Sequence, residues 1–250
     1  MEKTGIAHIF FIFIPISYSK TQLQITQYLE VRMKEELKNA LFRIWYWYVS
    51  TADKNADVTF MNYGYSKDNY SIKLDKKDEK NRYSAQLYEL VATGVDIKGK
   101  DLLEVGCGRG GGLSYVNRYL SPNSATGVDL NKKAIEFCVD HYSNESINFS
   151  QGNAQNLNFQ DNTFDVVINV ESSHRYSQMN RFLSEVNRVL KPGGFLLFAD
   201  FRPKNGLTTL NKQLEDSNFI LVKEEVITSN VLEALKLAST DREKFHYRTH

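Results

Sequence analysis

The chain has 250 residues, 31 Lys and Arg against 30 Asp and Glu, and a formal net charge of +1. That length holds one α/β domain with a full core and some trimmings, and the near-neutral charge argues against a nucleic-acid binder, which needs a basic face. The two cysteines, Cys107 and Cys138, are far apart without paired ligand spacing, which excludes a disulfide framework and argues against a metal site; free buried thiols in a reducing cytoplasm are the expectation.

In chain order, residues 6–16 (IAHIFFIFIPI) form an apolar run behind Lys3. It is too short to span a bilayer as a helix. It resembles a signal-peptide core, but His8 and Pro15 interrupt it and no small-x-small cleavage site follows. A secretion signal, a weak membrane-surface anchor and an extension without function compete, and the last is preferred. Residues 1–20 are therefore set apart from the domain. Residues 21–50 carry apolar positions near helical spacing and end in the aromatic run Trp45, Tyr46, Trp47 and Tyr48. With FMNYGYS at 60–66, a charged run at 73–82 and a helix at 83–91, they make residues 21–99 a helical and aromatic cap.

From residue 100 strand and helix signals alternate. Strands are predicted at 101–105, 125–130, 147–150, 164–170, 195–201 and 219–227. Helices are predicted to follow the first glycine cluster through 119, at 131–141 with Asn131 as N-cap, and at 179–190 before Pro192-Gly193-Gly194. The run FDVVINV reads as a central strand buried on both faces. The fold class is α/β, a doubly wound and mostly parallel sheet over residues 100–250 with an N-terminal helical cap.

The first strand runs into LLEVGCGRGGG, residues 102–112. Glycines there let a ligand approach the backbone, and the free amides at the next helix start favour an anionic group. Asp129 ends the second strand, where an acid accepts hydrogen bonds from both ribose hydroxyls. Gly106-x-Gly108-x-x-Gly111 also fits a dinucleotide fingerprint, so at this point a nicotinamide dinucleotide and S-adenosylmethionine (SAM) both stay open.

Five ordered blocks separate the two: EVGCGRGG at 104–111, GVDL at 127–130, GNA at 152–154, FDVV at 164–167 and RVLKPGG at 188–194. Over residues 100–201 the chain resembles the class I SAM-dependent methyltransferases. The resemblance implies SAM as cofactor. It implies that Glu104 and the backbone of Gly106, Cys107 and Gly108 hold the methionine end, and that Asp129 holds the ribose. Leu130 would pack on adenine, Asn153 and Ala154 would meet its edge, and Asn169 and Val170 would line the methionine side. The family's usual residue at 153 is Asp; an Asn still offers an acceptor oxygen. A closer resemblance, from about residue 42 to 235, is to the phthiotriol/phenolphthiotriol dimycocerosate methyltransferases. It rests on FMNYGY at 60–65, NRY at 81–83, QLY at 86–88, NVESSH at 169–174 and ADFRP at 199–203. It implies O-methylation of a hydroxyl on a lipid or polyketide-like small molecule. The chain departs from that family by ending at His250, where the family continues into more helix and a final strand.

His174, just beyond the fourth predicted strand of the domain, is the candidate base, with Glu171 to orient it or to meet the cofactor ammonium. Tyr63 and Tyr65, in a glycine-containing loop, are the candidate acceptor-pocket residues. A carbon or nitrogen acceptor on a quinone- or sterol-like molecule and a non-catalytic SAM-fold binding protein are the alternatives. Cytoplasmic location, with or without membrane-surface association, completes the expectation.

Overall fold

A computed structural model describes residues 7–16 and 58–248. The helix predicted at 21–50 and the aromatic run at 45–48 lie outside the described residues. The strands are β1 (His8–Ile16), β2 (Asp101–Val105), β3 (Ser124–Asp129), β4 (Ile147–Gln151), β5 (Phe164–Val170), β6 (Leu190–Pro203) and β7 (Ile220–Val226). The helices are α1 (Arg82–Ala92), α2 (Gly111–Leu120), α3 (Lys132–His141), α4 (Met179–Val189), α5 (Lys204–Glu215) and α6 (Thr228–Arg248). From residue 82 to β6 the predicted order of strands and helices is the observed one; α5, between β6 and β7, was not predicted. Asn131 caps α3 as its residue type suggests, accepting from the Lys133 and Ala134 amides at 3.0 and 3.4 Å.

The seven strands form one sheet in the order β4-β3-β2-β5-β6-β1-β7, with every neighbouring pair parallel. The chain leaves β2 toward β3 and β4, then returns to place β5 on the other side of β2. That reversal opens a crevice at the carboxyl ends of β2 and β5, where open α/β sheets bind ligands.

Both faces of the sheet are covered, which is why its strands read as continuous apolar runs. Leu102, Val166, Ile168, Leu197 and Ala199 pack on one side with Leu87, Tyr88 and Val91 of α1 and Val116 of α2. Leu103, Val105, Val167, Leu196 and Phe198 pack on the other with Phe182, Leu183, Val186 and Val189 of α4. The α4 residues recur at helical spacing along one stripe. Each fully buried side chain of this size contributes about 2 kcal/mol of transfer free energy.

The N-terminal run corrects the sequence reading. It is neither an appendage nor part of a helical cap but a strand of the sheet. Its residues pair with β6 from His8↔Phe195 to Ile16↔Pro203, and with β7 on the other edge. Ile9 and Ile12 are 1% and 6% exposed and sit in opposite cores. A strand hydrogen-bonded on both edges and covered on both faces has the apolar density of a signal-peptide core, so composition could not separate the two. Among the described residues no helix is long and apolar enough to cross a membrane.

Candidate active site

A cleft of about 590 Å³ opens at the carboxyl ends of the strands. Gly106, Cys107 and Gly108 line it after β2, Asp129 and Leu130 after β3, and Asn153 and Ala154 after β4. Glu171 and His174 enter from the β5–α4 connection, and Tyr63 from the segment ahead of α1. Ten of the thirteen candidate site residues thus meet in one cavity, with Val170 beside them. Three do not line it: Glu104, Tyr65 and Asn169.

The cofactor side is built on Gly106. Its φ is +79°, and a Cβ there would overlap Ser172 Oγ, so only glycine fits. Asp129 is held open to the cleft by backbone donors. Its Oδ2 accepts from the Gly108 amide at 2.9 Å and its Oδ1 from the Asn131 amide at 2.8 Å. Burial raises its pKa against those donors. Leu130, 68% exposed, presents an apolar surface beside it. Asn153 Oδ1 accepts from the Gln155 amide at 2.9 Å, and a carbonyl oxygen keeps a second lone pair for an arriving donor. Cys107 and Cys138 are both buried free thiols.

Glu104 lies behind the lining, 1% exposed on β2. Its Oε1 accepts from the Tyr88 hydroxyl at 2.6 Å, while its Oε2 is buried without a partner. Burial, helped by the negative charge of Asp129 and opposed by the Tyr88 bond, pushes its pKa up to about 8. Asn169 is fully buried one layer below. Its Nδ2 donates to the Val105 carbonyl at 2.7 Å and to the Tyr176 hydroxyl at 3.0 Å, tying β5 to the end of β2. Its neighbour Val170 reaches the cleft.

On the acceptor side the Phe201 ring stands between His174, at 4.1 Å between centroids, and Tyr63, at 5.4 Å. Glu171 adopts a left-handed backbone, φ +47°, which costs a non-glycine residue energy and marks a held position. Its Oε2 accepts from the Tyr63 amide at 3.0 Å and its Oε1 is buried without a partner. Burial, opposed by the Tyr63 amide and helped by Asp200, pushes its pKa up to about 8. Arg175 lines the same end. Tyr65 belongs elsewhere. It is 2% exposed, edge-on to Tyr70 at 5.5 Å, inside the core with Ile227 and Val231. Gly64 between the two tyrosines has φ +85°, which turns the chain so that one ring meets the cleft and the other the core.

Sequence reasoning assigned no role to two residues of the site. Tyr88 reaches the cleft from α1 and holds Glu104. Asp200, near the carboxyl end of β6, holds His174: Nδ1 of the ring lies 2.8 Å from Asp200 Oδ1. An acid closing an otherwise apolar run was the available signal, as it was for Asp129.

A parallel doubly wound sheet, a glycine turn after one strand, an acid after the next and an unpartnered buried carboxylate oxygen behind the turn fit SAM. The ammonium of its methionine end would relieve Glu104 Oε2, and its ribose hydroxyls would meet Asp129. This arrangement defines a class I SAM-dependent methyltransferase. The comparisons with known proteins agree. A methyltransferase-domain family matches residues 103–198. The fatty-acid O-methyltransferase of Mycolicibacterium smegmatis is 40% identical over 209 residues, covering 83% of this chain and 75% of that protein. The phthiotriol/phenolphthiotriol dimycocerosates methyltransferase of Mycobacterium tuberculosis is 41% identical over 197 residues, covering 77% and 73%. The crystal structure of the cyclase SpnF superposes with a TM-score of 0.53 at 22% identity, over 78% of this chain and 70% of that one, a likeness of fold alone. The chain belongs to the SAM-dependent methyltransferase family that includes these two mycobacterial enzymes, and the dinucleotide alternative is set aside.

Proposed function

We propose that this enzyme methylates a hydroxyl oxygen of a lipid or polyketide-like small molecule. The observation that carries the reading is one continuous cleft joining Gly106, Gly108 and Asp129 at one end to Tyr63, Glu171 and His174 at the other. Two relatives at about 40% identity, named as methyltransferases of fatty acids and of phthiotriol/phenolphthiotriol dimycocerosates, support a lipid acceptor.

SAM, when bound, supplies a methyl group on a sulfonium that is already strongly electrophilic. The chain's own task is to bind, align and keep water out. Glu104 and the backbone of Gly106, Cys107 and Gly108 hold the methionine end. Asp129 holds the ribose, Leu130 the adenine face, and Asn153 and Ala154 its edge. Asn169 acts from below, fixing the end of β2. Tyr63 and Phe201 form an apolar wall for the acceptor. His174 takes the proton of the acceptor hydroxyl at the ring nitrogen that faces away from Asp200. Glu171 anchors the Tyr63 segment and offers its unpartnered oxygen to the acceptor. The two buried free thiols fit a reducing cytoplasm, where we place the enzyme.

Arg175 on the acceptor side, together with the fatty-acid relative, favours a second reading in which the acceptor oxygen belongs to a carboxylate. A carboxylate is ionised at neutral pH and needs no base. The test offers SAM with a long-chain secondary alcohol and with the matching fatty acid, and reads the products by mass spectrometry before and after base hydrolysis. A base-resistant methyl ether, lost in His174→Ala, is the expected product. A base-labile ester formed equally by wild type and His174→Ala would establish the second reading. SAM binding without turnover on either acceptor or on a lipid extract would overturn both.

A further inference from the structure

We propose that Asp200 is a positioning residue for methyl transfer: saturated with donors near the carboxyl end of β6, it fixes the proton of the His174 ring on Nδ1 and leaves Nε2 bare for the acceptor. The inference rests on the reading of His174 as the base and deepens it.

Asp200 is fully buried, yet both oxygens are filled. Oδ1 accepts from His174 Nδ1 and from the Phe201 amide, each at 2.8 Å. Oδ2 accepts from the Ser173 hydroxyl and from the His174 amide at 2.8 Å, and it is ion-paired with Arg202 Nη1 at 2.8 Å. Arg202 Nη2 also donates to Ser173 Oγ at 2.7 Å, closing the ring of contacts. Burial pushes the Asp200 carboxyl up, but the His174 bond and charge, the Arg202 charge and the Ser173 hydroxyl bond outweigh it and hold the group below its ordinary value. An ionised carboxylate only accepts. The ring nitrogen facing it must therefore carry the hydrogen, and the tautomer follows from that bond. Phe201 against one face of the ring removes its remaining rotational freedom.

The step then balances. The acceptor's proton passes to His174 Nε2. Its oxygen lone pair forms the bond to the methyl carbon, and the electron pair of the broken carbon–sulfur bond stays on sulfur. The neutral ring becomes a cation beside a carboxylate that keeps its charge, the logic by which a buried Asp serves a catalytic His in serine proteases. The other titratable and charged groups around the ring are Glu171, Arg175 and Tyr63 on the cleft side and Arg202 on β6.

The experiment combines nitrogen NMR of histidine-labelled enzyme with kinetics. In wild type the neutral His174 ring is expected as the Nδ1–H tautomer. Asp200→Asn places an amide donor opposite Nδ1, so the proton is expected to move to Nε2. Its kcat with the long-chain alcohol is expected to fall about 100-fold, the scale of a lost general base. Its pH–rate profile should shift, and acceptor KM and SAM binding by calorimetry should hold. A wild-type ring carrying its proton on Nε2 overturns the proposal, and so does an Asp200→Asn enzyme with wild-type kcat and pH profile. The wild-type spectrum decides even if the variant does not fold. Full activity in His174→Ala would instead withdraw the base reading, a separate result that the tautomer measurement does not share.

Discussion

The Tyr88 hydroxyl donates to Glu104 Oε1 at 2.6 Å, from a ring laid directly over the Gly112 backbone. The helix between β1 and β2 therefore fixes the carboxylate proposed to meet the cofactor's ammonium. In Tyr88→Phe the ring still fills its place but one buried carboxylate oxygen loses its donor. Such a loss costs about 1–3 kcal/mol. SAM affinity is expected to fall roughly tenfold, since about 1.4 kcal/mol is a factor of ten. Calorimetry checks it, and unchanged affinity would reduce Tyr88 to a packing residue.

Glu104 and Glu171 both have folded-state pKa values raised to about 8 by burial. In the unfolded chain a glutamate titrates near about 4.3. The folded state holds the extra protons, so these groups stabilise the ligand-free protein fully at pH values below the unfolded value. That contribution is lost as pH rises through 8. Asp200, held low, has the opposite sign and loses its contribution only in acid. The Tm of the ligand-free enzyme is expected to fall between pH 5 and about 9. SAM, whose ammonium favours ionised Glu104, should bind more tightly across the same window and release a proton. Calorimetry in buffers of different ionisation heat counts that proton. Its absence in wild type, or its persistence in Glu104→Gln, would locate the effect elsewhere.

Gly106→Ala adds a Cβ that overlaps Ser172 Oγ, on a backbone that L-residues avoid by about 1–2 kcal/mol. The turn must shift and with it the cofactor amides. SAM binding is expected to be abolished while the far-UV dichroism stays native. A variant that binds SAM like wild type would mean the turn is more compliant than its contacts imply.

Ile9→Asp tests whether β1 belongs to the sheet. Ile9 is 1% exposed and packs in the core with Leu103, Val167 and Leu196. An unpaired carboxylate there is expected to cost about 4 kcal/mol or more, an exceptional value for one substitution. Thermal unfolding reads it directly. A Tm within a few degrees of wild type would detach the N-terminal strand from the fold.

The cofactor half of the site was legible because its signals are local. A glycine turn after an apolar strand and an acid ending the next can be read within thirty residues. The acceptor half depends on contacts no short pattern encodes. Glu171, His174 and Tyr63 were placed correctly in the cleft from their positions beside a strand end or a glycine. Tyr65, two residues from Tyr63, was not, since the direction of its ring depends on the turn at Gly64. Asn169 and Val170 were both assigned to the lining, but strand alternation puts only Val170 there. Asp200 and Tyr88 act through partners 26 and 16 residues away. The sheet position of the N-terminal run was illegible for the same reason at larger scale, since its pairing partners begin at Phe195.

That pairing has a consequence for how the protein is made. During synthesis β1 is made well before β6 and β7, its neighbours in the sheet. Until β6 is made, an apolar strand has both edges open, the state most prone to wrong pairing. Parallel contacts of such long sequence separation form slowly. Assembly of the carboxyl end of β6 is thus timed by the meeting of strands made far apart in the chain, and the enzyme's yield in a cell depends on what protects β1 until then.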